Sequence, residues 1–300
     1  MHIISSGYGM QYAPYIAVFM QSIYDSVKNF RISFYIQDID ADCLDILCKT
    51  YRETNFIKTN IKFPSRNIER IPLKMKIWTE ALSQYEGKIL FLDSDTIISK
   101  SPESFFSEAD ITFTSKNEQF QINTGVMLVK NSNAVQYFFQ EWTNRIIDIL
   151  NSEEMINIAC SPQYNFGAVD QMAFYQMIDF DLEKNSYSFN TPYGDITLKS
   201  VPCNILNQTN SVPLSDDIYI YHYKGGWRAI IQSGEFSKYR GLFESYAMLK
   251  LFSRTLDSAK KAMLKNGALP QTIEKFSIFP FNWFLLKIKI LILSFFKRKM

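Results

Sequence analysis

The chain has 300 residues, of which 47% are hydrophobic and 21% charged, a composition typical of a folded globular protein. This length fits one large α/β domain or two smaller ones. The net charge is only +2, so nothing in the overall charge marks a nucleic-acid-binding protein. The four cysteines form no Cys-x-x-Cys pair and indicate reduced thiols of a cytosolic protein, and we find no secretory signal.

The amino-terminal part alternates short apolar strands with amphipathic helices. We predict strands at 2–5, 31–37 and 57–63, and helices at 13–25 and from 40 or 42 to about 52. The loop at 6–11 joins a strand to a helix N-terminus through small residues, which suits a nucleotide phosphate. Its glycines match no phosphate-binding motif, so an ordinary strand–helix connection is an equal alternative.

Two carboxylates follow a predicted buried strand. Residues 89–92 are an uninterrupted apolar run, and Asp93 and Asp95 come next, two apart, so that their side chains point to the same side. At the carboxyl end of an α/β sheet, such a pair forms half of a site for Mn²⁺ or Mg²⁺. The Asp-x-Asp pattern occurs four times, but only this copy follows an apolar run. A solvated turn at the strand end is the alternative.

Further helices and strands alternate toward residue 222. We predict helices at about 75–85, from 132 or 133 to about 149, and at 170–178, and strands at 111–115, 121–129 and 218–222. Lys74 and Lys76 can contact a diphosphate near the carboxylates, or else form a solvated basic helix start. Asp170 is a substrate ligand or a plain N-cap. His222 ends a strand beside glycines and cations, which makes it a candidate metal ligand.

The carboxyl-terminal part is helical and basic from about residue 242. Residues 281–300 are too short and too interrupted by charge to span a bilayer comfortably. Trp283 and several lysines favour an anchor at the surface of an anionic membrane, whereas packing on the domain or on a second subunit is the alternative. We therefore predict a main domain at 1–245 and a helical extension at 246–300.

Several stretches, taken in order, resemble the bacterial glycosyltransferases of family 8, which are nucleotide-sugar transferases of the GT-A fold and include lipooligosaccharide galactosyltransferases. These stretches are residues 12–15, 91–95, 122–128, 170–171 and 222–228. The resemblance covers about residues 1–230. It implies an α/β fold of GT-A type, with a mixed, mostly parallel sheet flanked by helices, and makes 1–245 the catalytic domain.

The resemblance also implies roles for individual residues. Asp93, Asp95 and His222 would bind Mn²⁺ or Mg²⁺. Asn123, Asp170 and Gln171 would act as catalytic residues around the donor sugar. The residues expected to bind the nucleotide-sugar donor are Ser6, Tyr12, Lys76, Asp93, Ser94, Asp95, Gly225 and Arg228.

The chain departs from the family pattern at three places. Gly9, Met10 and Gln11 occupy the loop where the family places an acidic residue on the uracil. Met172 stands where an aspartate often follows the Asp-Gln pair. Arg228 replaces a lysine and can bind a diphosphate with forked geometry.

The implied reaction moves galactose or glucose from a UDP-sugar to a glycan or glycolipid acceptor during cell-surface polysaccharide synthesis, with retention of configuration. We expect a cytoplasmic protein held on the inner face of the cytoplasmic membrane by its carboxyl-terminal segment, without nucleic-acid binding. Two other classes stay open. One is a nucleotidyltransferase or sugar-nucleotide hydrolase, and the other is a non-catalytic, membrane-associated protein that binds nucleotides or glycans.

Overall fold

The computed structural model describes residues 1–59, 67–106, 109–116, 122–160, 169–209, 214–223 and 242–277, together with Ile288 and Ile292. Two predicted donor-binding residues, Gly225 and Arg228, lie outside the described residues, as does nearly all of the predicted anchor at 281–300. Within the described part, no helix has the length and apolarity needed to cross a bilayer.

The strands form one large and one small sheet. They are β1 (His2–Tyr8), β2 (Arg31–Gln37), β3 (Thr54–Lys58), β4 (Gly87–Leu92), β5 (Thr96–Ile98), β6 (Ile111–Ser115), β7 (Ile122–Asn131), β8 (Ser186–Phe189), β9 (Ile196–Pro202) and β10 (Ile220–His222). In the described residues the large sheet has eight strands in the order β3-β2-β1-β4-β7-β6-β9-β8. The β3-β2-β1-β4 half is parallel, and β7 runs antiparallel to both β4 and β6. The predicted mixed, mostly parallel sheet is therefore confirmed.

Helices cover both faces of the large sheet. They are α1 (Ala13–Ser26), α2 (Ala41–Thr50), α3 (Asn67–Gln84), α4 (Asn133–Leu150), α5 (Glu153–Cys160), α6 (Val169–Met177), α7 (Cys203–Leu206), α8 (Leu242–Lys265) and α9 (Pro270–Lys275). Alternate residues of β4 face opposite cores: Leu90 packs in the core of α1, α2 and α8, whereas Ile89 and Phe91 pack in the core of α3, α4 and α6. This two-sided burial explains the uninterrupted apolar run that precedes Asp93.

The small sheet determines where the end of β4 meets the late part of the chain. β5 follows Asp95 directly and pairs antiparallel with β10, so that Thr96 lies opposite His222. The main chain of Tyr223 then donates a hydrogen bond to the carbonyl of Asp95, at 2.7 Å. This pairing brings the predicted metal-binding histidine to the two predicted carboxylates.

Helix α8 packs on α1 and completes the core of that layer. The ring of Phe252 lies 5.5 Å from the ring of Tyr15 and 5.4 Å from that of Tyr223. The Tyr223 hydroxyl donates to the carbonyl of Met248, at 2.7 Å. The predicted domain boundary after residue 245 therefore falls inside a helix whose buried side chains belong to the main core.

Several element boundaries differ from the sequence prediction. β1 continues to Tyr8, so Ser6 is in a strand and not in a loop, because the whole of β1 pairs with β2. β3 ends at Lys58 and begins at Thr54, three residues earlier than predicted. α3 begins at Asn67 and contains Pro72, which places Lys74 and Lys76 well inside the helix.

Candidate active site

Asp93, Asp95 and His222 converge at the carboxyl end of β4. One potential ligand atom from each lies within 4.8 Å of the other two. His222 Nε2 is 3.1 Å from Asp95 Oδ1 and 3.7 Å from Asp93 Oδ2. The side chains of Asp95 and His222 are almost fully buried, whereas that of Asp93 is 32% exposed. The cluster therefore opens to solvent on the Asp93 side.

Hydrogen bonds define which nitrogen of His222 faces the carboxylates. The Thr114 hydroxyl donates to the carbonyl of Asn123, at 2.8 Å, so its oxygen accepts from Asn207 Nδ2, at 2.9 Å. Asn207 therefore turns its Oδ1 toward His222 Nδ1, at 3.0 Å. An amide oxygen only accepts, so Nδ1 carries a proton, and Nε2 is the nitrogen that faces the carboxylates and would bind a metal. An imidazole nitrogen and two carboxylates suit Mn²⁺ or Mg²⁺.

Gly125 leaves the space that this cluster occupies. A Cβ atom at Gly125 would lie 2.4 Å from His222 Cε1 and 2.8 Å from Asp93 Oδ2. Its carbonyl also accepts a hydrogen bond from the main chain of Asp93, at 2.9 Å. Only glycine fits here, because β7 passes directly under two of the three candidate metal ligands.

Lys74 places a cation against the same carboxylates. Its Nζ is 3.0 Å from Asp93 Oδ1 and 3.7 Å from Asp170 Oδ2, and it donates to the carbonyl of Thr124, at 3.3 Å. The ammonium also lies 4.4 Å from the centre of the Trp78 ring. Burial lowers the pKa of Lys74, but the carboxylates of Asp93, Asp170 and Asp95 outweigh this effect and raise the pKa overall. Lys74 is therefore a cation at neutral pH.

Asp170 and Asn123 form a polar wall beside Lys74. Asp170 Oδ2 accepts from the Thr124 hydroxyl at 2.6 Å, and Trp142 Nε1 donates to the Asp170 carbonyl at 2.9 Å. Asn123 Oδ1 accepts from the main chain of Gly125, at 2.9 Å. Among the described residues, Asp170 Oδ1 and Asn123 Nδ2 are buried without a hydrogen-bond partner. One acceptor and one donor are thus available to a ligand with hydroxyl groups.

The other predicted site residues lie in different surroundings. Gln171 is buried next to Asp170 in α6. Ser94 lies between the two aspartates, Ser6 is in β1 next to β4, and Tyr12 ends a short 3₁₀ turn before α1; all three are half-buried. Lys76 is exposed on α3, about 200° around the helix from Lys74. It is Lys74, and not Lys76, that contacts the carboxylates.

Sequence reasoning missed several residues that hold the site together. Asn207 follows a four-residue helix and carried no signal, since a single asparagine between short elements is usually a turn residue. Trp142 is part of the apolar stripe of α4, so its hydrogen bond to Asp170 was hidden. Gly125, by contrast, was detectable, because a glycine inside a strand indicates close backbone approach.

Comparison with known proteins places this geometry in context. Residues 33–224, more than half of the chain, match the family described as nucleotide-diphospho-sugar transferase. The glycosyltransferase GlyE of Streptococcus pneumoniae TIGR4 is 16% identical, with a TM-score of 0.52 over 86% of this chain and 63% of GlyE. The chain therefore spans less than two thirds of the length of GlyE.

The galactosyltransferase LgtC, solved with donor and acceptor sugar analogues, is 17% identical, with a TM-score of 0.49 over 86% of this chain and 96% of LgtC. Among curated proteins, none matches the sequence at a significant level.

Proposed function

Because the chain belongs to the nucleotide-diphospho-sugar transferase family, we propose that it transfers galactose or glucose from a UDP-sugar to a glycan or glycolipid acceptor. Family membership and fold confirm the prediction of a glycosyltransferase with the GT-A fold. The observation that carries the proposal is the convergence of Asp93, Asp95 and His222 at the carboxyl end of β4. Ligands bind at this edge of α/β sheets.

Asp93, Asp95 and His222 would hold Mn²⁺ or Mg²⁺. When bound, such an ion neutralises the charge that develops on the diphosphate as it leaves the sugar. The open side of Asp93 gives a diphosphate access to the site, since this carboxylate is the exposed member of the cluster. Ser94, between the two aspartates, lies within the same turn.

Asp170 and Asn123 would bind and orient the donor sugar. Asp170 Oδ1 accepts a hydrogen bond from a sugar hydroxyl, and Asn123 Nδ2 donates one, which satisfies the two buried atoms that lack partners among the described residues. Their other atoms are already held by Thr124 and Gly125, so both groups are fixed before the donor arrives. Such preorganised polar groups stabilise the positive charge of an oxocarbenium-like transition state. We propose that Gln171 shares this role and that the reaction retains the anomeric configuration.

The remaining donor contacts come from both ends of the site. Ser6 and Tyr12 would contact the nucleoside, and Gly225 and Arg228 the diphosphate. The acceptor would be a glycan or glycolipid in cell-surface polysaccharide synthesis. We further propose that residues 281–300 bring the protein to the inner face of the cytoplasmic membrane, and that the protein does not bind nucleic acid.

A thermal-shift titration with UDP, GDP and CDP, each with and without Mn²⁺, tests the proposal. Ligand that binds the native state raises the unfolding temperature by mass action. We expect a shift with UDP that requires Mn²⁺ and is lost in Asp95→Ala. A shift with a different nucleotide would change the donor, and no shift with any nucleotide would refute nucleotide-sugar binding. Release of UDP from UDP-galactose or UDP-glucose without any acceptor would instead favour a hydrolase.

A further inference from the structure

The candidate active site carries an excess of negative charge that Lys74 partly balances. Asp93, Asp95 and Asp170 contribute three carboxylates, and the ammonium of Lys74 lies against two of them. Lys74 is in α3. Of its partners, Asp93 follows β4, Thr124 is in β7 and Asp170 is in α6. The ammonium therefore joins four separate parts of the chain at one point.

Two hydrogen bonds and a second ion pair hold the Lys74 ammonium. An ammonium has three N–H donors. One contacts Asp93 Oδ1 at 3.0 Å and one the Thr124 carbonyl at 3.3 Å, and Asp170 Oδ2 forms an ion pair at 3.7 Å. The ring of Trp78, 4.4 Å from the ammonium, adds a cation–π contact. This is a built position for a cation and not a solvated lysine on a helix surface.

We propose that Lys74 is a positioning residue that acts as a resident counter-ion and makes metal binding depend on the donor. Without nucleotide, Lys74 shares Asp93 with an incoming divalent cation, and two cations on one carboxylate repel each other. The side chain of Lys74 is 20% exposed, so its flexible stem can turn toward a diphosphate that arrives at the open side of Asp93. The Asp93 carboxylate then binds the metal without competition from Lys74. This inference rests on the proposed function, because it takes the nucleoside diphosphate as the ligand.

The consequence is a thermodynamic coupling between metal and nucleotide. UDP strengthens Mn²⁺ binding by the same factor by which Mn²⁺ strengthens UDP binding. Lys74 increases this factor, because it weakens metal binding only while no diphosphate is present. Removing its charge should therefore tighten Mn²⁺ binding to the nucleotide-free protein by about tenfold or more. The coupling factor between UDP and Mn²⁺ should fall by a similar amount.

Calorimetric titration of the full chain with Mn²⁺, with and without saturating UDP, tests this inference. The variants are Lys74→Met, Lys74→Arg, which keeps the charge, and Lys88→Met as the matched control. Lys88 lies at the opposite end of β4 from Asp93 and is 49% exposed. Lys74→Gln replaces Lys74→Met if the latter does not fold, because glutamine is neutral and can still donate to the Thr124 carbonyl.

The expected result is tighter Mn²⁺ binding and weaker coupling in Lys74→Met or Lys74→Gln, with Lys74→Arg and Lys88→Met close to the wild type. The inference is overturned if the neutral variants bind Mn²⁺ in the absence of UDP no more tightly than Lys88→Met. In that case UDP binding by the wild type in the presence of Mn²⁺ would leave the proposed function intact. If the wild type binds neither Mn²⁺ nor UDP, the proposed function fails, and this inference fails with it.

Discussion

Replacing Gly125 with alanine should disrupt the candidate metal site while leaving the fold in place. The added Cβ would lie 2.4 Å from His222 Cε1, which is 1.0 Å closer than the shortest ordinary contact of 3.4 Å. It would also lie 2.8 Å from Asp93 Oδ2. Relief of both contacts requires the two ligands to move by up to about 1 Å, whereas metal–ligand distances tolerate only about 0.2 Å. We therefore expect Mn²⁺ affinity to fall by at least about 100-fold.

The cost to the fold should be much smaller than the cost to the site. Overpacking of this kind destabilises a core by about 1–3 kcal/mol. For a domain of this size, each kcal/mol lowers the unfolding temperature by about 2–4 °C. Calorimetric Mn²⁺ titration and thermal unfolding of the same sample separate the two effects.

Gly87→Ala is the matched control for Gly125→Ala. Gly87 has a φ of 78°, and a Cβ there would meet nothing within 4 Å. Alanine at this position costs about 1–2 kcal/mol through backbone strain, at the far end of β4 from the site. The variant should lose comparable stability and keep its Mn²⁺ affinity. If Gly125→Ala binds Mn²⁺ as well as Gly87→Ala does, the geometric argument is refuted.

Two further predictions concern the histidines. Asn207→Leu removes the acceptor that orients His222, so Mn²⁺ affinity should fall by about 10–100-fold in a calorimetric titration, and an unchanged affinity would rule out this orienting role. At the other end of the sheet, burial, Arg31 and the terminal amine lower the pKa of His2 from 6.5 to about 4. The unfolded chain therefore takes up this proton first, and the wild type should lose stability between pH 6.5 and pH 4 more steeply than His2→Gln in urea unfolding. Parallel slopes for the two proteins would contradict the assignment.

The central strands were predictable because strands buried on both faces have runs of mainly apolar residues. β2 and β6 have the predicted bounds, and β4 carries the predicted apolar run, since successive residues of each strand are buried on both faces. The start of α4 was predictable from its cap, and the hydroxyl of Ser132 accepts a hydrogen bond from the main chain of Val135. These signals are local, so the sequence is sufficient to detect them.

Peripheral elements gave weaker signals. β3 is an edge strand that is largely half-buried or exposed, so no apolar run marked its ends. The end of β1 consists of Ser6, Gly7 and Tyr8, which resemble a loop but pair with β2. The helix predicted from about residue 75 begins at Asn67 and contains Pro72. In each case tertiary pairing or packing overrode the local preference.

The candidate metal ligands could be predicted from sequence, but the groups around them could not. Asp93 and Asp95 follow a recognisable strand, and His222 ends another. From the sequence alone, Lys74 could not be distinguished from a solvated lysine at a helix start. Its partners come from three other parts of the chain, which only the fold brings together. The same holds for Asn207, whose role depends on the position of Thr114.

The pairing of β5 with β10 has a consequence for the order of folding. Asp95 and His222 are separated by 127 residues along the chain, so the cluster cannot form until the late strand docks. A nascent chain therefore carries two of the three candidate ligands long before it carries the third, and such long-range contacts form slowly. Metal binding at this site should thus report completed folding, and a cation that binds only the finished cluster would hold the first and last parts of the domain together against unfolding.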